Sequence, residues 1–66
     1  MDNIIIIGSS GHAKVIIDIV ISQGRYQIVG LLDPYRNIGE ITLGYPILGK
    51  KEDLPKLVNA YNLKGL

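Results

Sequence analysis

Four isoleucines run unbroken through residues 4–7 and stop at Gly8. A short, fully apolar, β-branched run predicts a buried central strand. The period then changes. Ala13, Ile16, Ile17 and Val20 fall at i, i+3, i+4 and i+7, and Val15 and Ile19 widen that stripe. Lys14, Asp18 and Ser22 form a polar stripe at i, i+4 and i+8. The spacing predicts a helix over 12–23, although so many β-branched residues lower its intrinsic propensity. Gly24 supplies the C-terminal cap. Apolar residues return at Ile28, Val29, Leu31 and Leu32 and predict a second strand over 26–32. Asp33-Pro34 closes it, because proline lacks a ladder donor and biases the preceding residue away from helix.

Residues 37–39 have turn chemistry, and 41–48 read as two short extended pieces around Gly44-Tyr45-Pro46. Glu52 or Asp53 is placed to cap a helix starting near Pro55, with Leu54, Leu57, Val58 and Tyr61 on its apolar face and Asn62 as its stop. Residues 63–66 are expected to open a third strand. The sum is an α/β chain: a Rossmann-like βαβ unit with a short parallel sheet, spanning residues 1–66. Continuous aliphatic runs suit strands covered on both faces, which takes more chain than 66 residues. The expectation is therefore an incomplete fold, the N-terminal part of a longer protein.

Composition narrows the classes. With no cysteine and one histidine, neither disulfides nor a tetrahedral metal site can staple so small a unit. That leaves an unusually apolar core, for which the 47% hydrophobic content is high in so small a chain, or a missing partner. A net charge of +1 with scattered signs leaves no footprint for nucleic acid and no polybasic membrane patch. No apolar run exceeds four residues, and Met1-Asp2-Asn3 lacks the positive start of a secretory signal, so no membrane insertion and a cytoplasmic setting are expected.

The candidate chemistry lies in Gly8-Ser9-Ser10-Gly11-His12. A strand entering a glycine turn and then a helix aims unpaired first-turn N–H groups, and the positive end of the helix dipole, at one place, for which phosphate is the natural ligand. Gly8 allows the sharp turn, Gly11 allows close approach, and Ser9 and Ser10 add hydroxyls. The dinucleotide fingerprint wants glycine at positions one and three and glycine or alanine three further on; here Gly8, Ser10 and Ala13 stand there. Serine in the middle argues against NAD or FAD and leaves room for another diphosphate geometry, such as that of a nucleotide sugar. Asp33, at the tip of the second strand, stands where an acid takes a ribose hydroxyl. Plainer readings stand beside these. The glycines could serve packing only, Ser10 could be an N-cap, Asp33 could cap the next turn, and Lys14 could pair with Asp18. His12, with no carboxylate near it in sequence, reads as structural before catalytic.

Residues 5–18 (Ile-Ile-Ile-Gly-Ser-Ser-Gly-His-Ala-Lys-Val-Ile-Ile-Asp), Val-Gly-Leu-Leu-Asp at 29–33 and Leu-Gly-Tyr-Pro-Ile-Leu-Gly at 43–49 resemble, in order, the N-terminal domain of PglD/NeuD-type sugar acyltransferases. The resemblance implies a Rossmann-like domain that binds a UDP- or CMP-linked sugar or related sugar acceptor. It also implies a C-terminal left-handed β-helix that binds acetyl-CoA, forms homotrimers and carries the histidine base. This segment would then bind no cofactor itself and hold no catalytic residue. Gly8, Ser9, Ser10, Gly11 and His12 would meet the phosphates or nearby groups, with Asp33 on the nucleoside. Pro34 is expected among these substrate-binding residues by position, although it stands where the family often has a second acid. A further glycine contact after the third strand would fall beyond Leu66. The alternatives are a non-catalytic nucleotide-binding module and an NAD-type half-domain.

Overall fold

A computed structural model describes residues 1–63. The chain forms β1 (Asp2–Ile7), α1 (Gly11–Gln23), β2 (Tyr26–Leu32), β3 (Ile41–Thr42) and β4 (Tyr45–Gly49). A single 3₁₀ turn, Lys51–Asp53, then leads into α2 (Leu54–Tyr61). The sheet has four strands in the order β1-β2-β4-β3; β1–β2 and β2–β4 are parallel, and β3 pairs antiparallel with β4 at the edge. It is thus an α/β fold with a βαβ unit and a mixed sheet.

The two extended pieces expected over 41–48 are β3 and β4, and β4 joins the sheet as a parallel neighbour of β2, a pairing that the sequence pattern does not indicate because the strand contains Pro46 and follows only two residues of β3. Of the strand expected over 63–66, Leu63 bridges Asn3 in the parallel sense, and the rest lies outside the described residues. The chain thus steps outward from β1 to β2 to β4, then returns by α2 to the opposite side of β1. Among the described strands β1 is the edge, and the Leu63 bridge brings the chain back to it; open α/β sheets bind ligands beyond the carboxyl ends of their strands.

Ile4 and Ile6, on one face of β1, join Ile28, Leu31 and Ile47 from the neighbouring strands and Ala13 and Ile17 of α1 in one buried cluster. Ile16, Val20, Tyr26 and Tyr45 pack around it. The pairing Ile4↔Ile28 followed by Ile5↔Gly30 leaves Val29 as an extra residue, which is why Ile28 and Leu31 face the same way. Leu32 and Leu57 are buried outside this cluster. Leu31, Leu32 and Ile47 are fully covered, and each such side chain contributes about 1.5–3 kcal/mol. Gly30 makes β4 possible: a Cβ there would lie 2.5 Å from Leu48 Cγ and 2.8 Å from the Pro46 carbonyl oxygen.

Helix boundaries follow local chemistry. Gly24 ends α1 in the left-handed conformation at φ 68°, and Asn62 ends α2 likewise at φ 53°. Asp53 does occupy the N-cap position of α2, yet its side chain caps nothing there. Its carboxylate turns back to accept the Lys50 N–H at 2.8 Å. No described helix is long and apolar enough to cross a membrane.

Candidate functional site

The carboxyl end of β1 turns at Gly8, whose φ of +102° suits glycine. Its N–H donates to the Leu32 carbonyl at 2.7 Å, so the turn after β1 is tied to the tip of β2. Ser9 lies beneath the turn, only 5% exposed. Ser10 is the N-cap of α1 with extended backbone (φ −88°, ψ −173°), and its carbonyl accepts the Lys14 N–H at 3.2 Å. Its hydroxyl makes no capping hydrogen bond. Ser10, Gly11 and His12 are all exposed at the start of the helix. The first turn of α1 contains no acidic residue, so no carboxylate of its own competes for the positive helix end.

Gly11 differs from the other glycines of the site. Its φ is not left-handed, and an added Cβ would meet nothing within 4 Å. Neither backbone conformation nor packing within the described residues requires glycine at this position.

Asp33 sits opposite, at the end of β2, with its N–H donating to the Gly49 carbonyl at 3.0 Å. Its Oδ2 accepts the Ser9 hydroxyl, and its Oδ1 accepts the Tyr35 N–H at 2.8 Å. Ser9 Oγ in turn accepts the Arg36 Nε–H at 2.9 Å, and Arg36 Nη1 pairs with Glu40. The Ser9 hydroxyl holds the Asp33 carboxyl below its ordinary value of 3.8, helped by the Tyr35 N–H and the Arg36 charge and partly opposed by desolvation. Asp33 therefore stays an ionised acceptor across the neutral range.

The fold brings Gly8, Ser9 and Asp33 together directly and presents Ser10, Gly11 and His12 beside them on α1. Asp33 does cap the following turn through Tyr35, and it is also bonded across the sheet to Ser9, so the two readings of this residue coexist. Pro34 is exposed and, lacking an N–H, leaves Tyr35 to supply the turn's donor. Lys14 pairs with Asp18 at 3.1 Å on the helix surface. The pattern of residues gave no sign of Arg36 or Gly49. Arg36 reaches Ser9 over a separation of 27 residues, which no local spacing reveals. Gly49 could have been suspected as the glycine that closes an apolar run, the signal that singled out Gly8. Among the described residues no cluster of side chains is suited to a metal ion.

These features define a Rossmann-like unit whose open end combines a glycine turn, a helix N-terminus and an acid at the second strand tip. The chain matches the family model described as the PglD N-terminal domain over residues 3–64, nearly its whole length, and belongs to that family. Membership places it with the sugar acetyltransferases. No curated protein and no solved structure gives a significant match.

Proposed function

We propose that this chain is the acceptor-binding domain of an acetyl-CoA-dependent sugar O- or N-acetyltransferase, and that it holds a nucleotide sugar at the carboxyl end of β1. The observation that carries this is Gly11. Among the described residues neither packing nor backbone conformation needs its missing side chain, and close approach of a ligand is a use that glycine allows. The uncommitted Ser10 hydroxyl beside it supports the same reading, as does Asp33, held as an acceptor for a sugar or nucleoside hydroxyl.

In this reading the diphosphate lies against the first-turn N–H groups of α1, with His12 at the rim as a binding group. The acceptor hydroxyl or amine is deprotonated by a base elsewhere in the parent protein and attacks the thioester carbonyl. The residues of this segment orient the acceptor and take no part in bond making. The acetyl-CoA site, a left-handed β-helix, trimeric assembly and a cytoplasmic setting belong to the same proposal and rest on family membership.

The test is a thermal-shift panel of UDP- and CMP-sugars, with NAD as a counter-ligand, on the intact protein. A ligand at a hundred times its dissociation constant stabilises by about 2.7 kcal/mol, enough for a clear rise in Tm. The expected result is a rise with at least one nucleotide sugar and none with NAD. Gly11→Val should leave the ligand-free Tm unchanged or higher and abolish the rise. Unchanged affinity in Gly11→Val would contradict a backbone-to-phosphate approach there, and binding of NAD alone would overturn the reading.

A further inference from the structure

Arg36 reaches from the loop after β2 back to the turn after β1, with Nε on Ser9 and Nη1 on Glu40. A guanidinium has donors only, so Ser9 Oγ must accept in that bond. Its single proton then goes to its other described partner, Asp33 Oδ2. At 5% exposure Ser9 has little water with which to exchange either bond. The hydrogen bonds therefore run in one direction, from Arg36 through Ser9 to Asp33. Each Asp33 oxygen takes one such bond, from Ser9 or from Tyr35, and keeps further acceptor capacity.

The loop that carries Arg36 is itself anchored. Gly39 N–H donates to the Ile47 carbonyl at 2.9 Å, Ile47 N–H donates to the Glu40 carbonyl at 2.8 Å, and Glu40 N–H closes a turn onto Asn37 at 3.0 Å. Glu40, which holds the far side of the guanidinium, is thus tied by its backbone to β4. The Arg36 guanidinium is engaged by Ser9 through Nε and by Glu40 through Nη1.

We propose that Arg36 is a positioning residue of this site: its Nε–H bond to Ser9 Oγ holds in place the hydroxyl that binds Asp33 Oδ2, and so fixes where the Asp33 carboxylate stands for the hydroxyls of the bound nucleotide sugar. The inference rests on the nucleotide-sugar reading above, and it assigns Arg36 an effect on the ligand that passes through Asp33.

A double-mutant cycle on the intact protein tests it, with UDP-N-acetylglucosamine and CMP-sialic acid as titration probes. Arg36→Met, which keeps the aliphatic stem, is expected to weaken the binding probe about tenfold. In an Asp33→Asn background the same substitution should change affinity less than twofold. Additive losses would mean that Arg36 touches the ligand itself and would overturn the proposal. A second readout needs no ligand: the carboxyl titration of Asp33, followed by carbon NMR in aspartate-labelled protein and assigned by its loss in Asp33→Asn. Arg36→Met should move its midpoint upward; in a Ser9→Ala background only the loss of the Arg36 charge remains and the displacement should be smaller, and equal displacement in both backgrounds would refute the relay. If neither probe binds the wild-type protein, the nucleotide-sugar reading fails and the titration still decides whether Arg36 positions Asp33.

Discussion

At Gly49 the chain leaves β4 with φ +154°, and an added Cβ would clash with Asp53 Oδ2. That carboxylate is already committed to the Lys50 N–H, and the Gly49 carbonyl holds the Asp33 N–H. Gly49→Ala must therefore either push Asp53 off Lys50 or shift the carbonyl on which Asp33 hangs. The expected cost is about 1–3 kcal/mol, read as a lower urea midpoint with an unchanged slope; a midpoint equal to wild type would show that the backbone absorbs the change freely. Gly11 is the contrast, since no clash and no left-handed φ attends it. The two glycines look alike in the sequence and differ in backbone conformation and in what surrounds them. Gly8 and Asp33 were legible as site residues because strand, turn and acid stand in a fixed order along the chain. Arg36 and Gly49 were not, because their roles come from partners on other elements.

Among the elements, the β3–β4 hairpin is the one whose sequence and backbone disagree. Thr42 pairs with Tyr45, so the loop is Leu43-Gly44 alone, at φ 54° and 85°. Two-residue loops with positive φ at both positions favour Asn-Gly, and a leucine in the left-handed region costs about 1–2 kcal/mol. Leu43 does line a cleft with Ile17, Ile21 and Tyr45, but it is 36% exposed and so recovers only part of that cost. Leu43→Asn is expected to stabilise by about 1 kcal/mol, raising Tm by roughly 4–8 °C in a domain of this size. Thermal unfolding followed by circular dichroism checks it, and a fall in Tm would mean that the cleft contact outweighs the strain. The same hairpin marks where sequence reasoning at this scale stops. Helix 12–23 and strand 26–32 were readable because a period repeats within each, and they match α1 and β2 closely. The turn, expected at Gly44-Tyr45-Pro46, lies one residue earlier, with Tyr45 and Pro46 already in the strand. A two-residue strand has no period to read, and Pro46 argues against the very strand that contains it.

Across the whole molecule the carboxyl ends of β2 and β4 share one device, an aspartate whose carboxylate is gripped by backbone N–H. Asp33 is held by the Ser9 hydroxyl and the Tyr35 N–H, and Asp53 by the Lys50 N–H with Lys56 beside it. Both carboxyls titrate below their ordinary value of 3.8, chiefly through the Ser9 bond for Asp33 and the Lys50 N–H for Asp53. A depressed folded-state value gives stability that is fully present above the unfolded value and is lost as pH falls through the folded one. Stability should therefore be level from neutral pH down to about 5 and decline below about 4. Protonating the carboxylates also leaves the seven Lys and Arg side chains less balanced, and the resulting repulsion acts in the same direction. The decline should begin at the site's edge of the sheet. In hydrogen exchange at low pH, corrected for the intrinsic rates, the Tyr35 and Lys50 amides should lose protection while those pairing β1 with β2 keep theirs. Asp33→Asn and Asp53→Asn should each make the urea midpoint less dependent on pH. A midpoint that rises on acidification, or that is indifferent to both substitutions, would rule this account out, because neither aspartate could then be tying its strand end down.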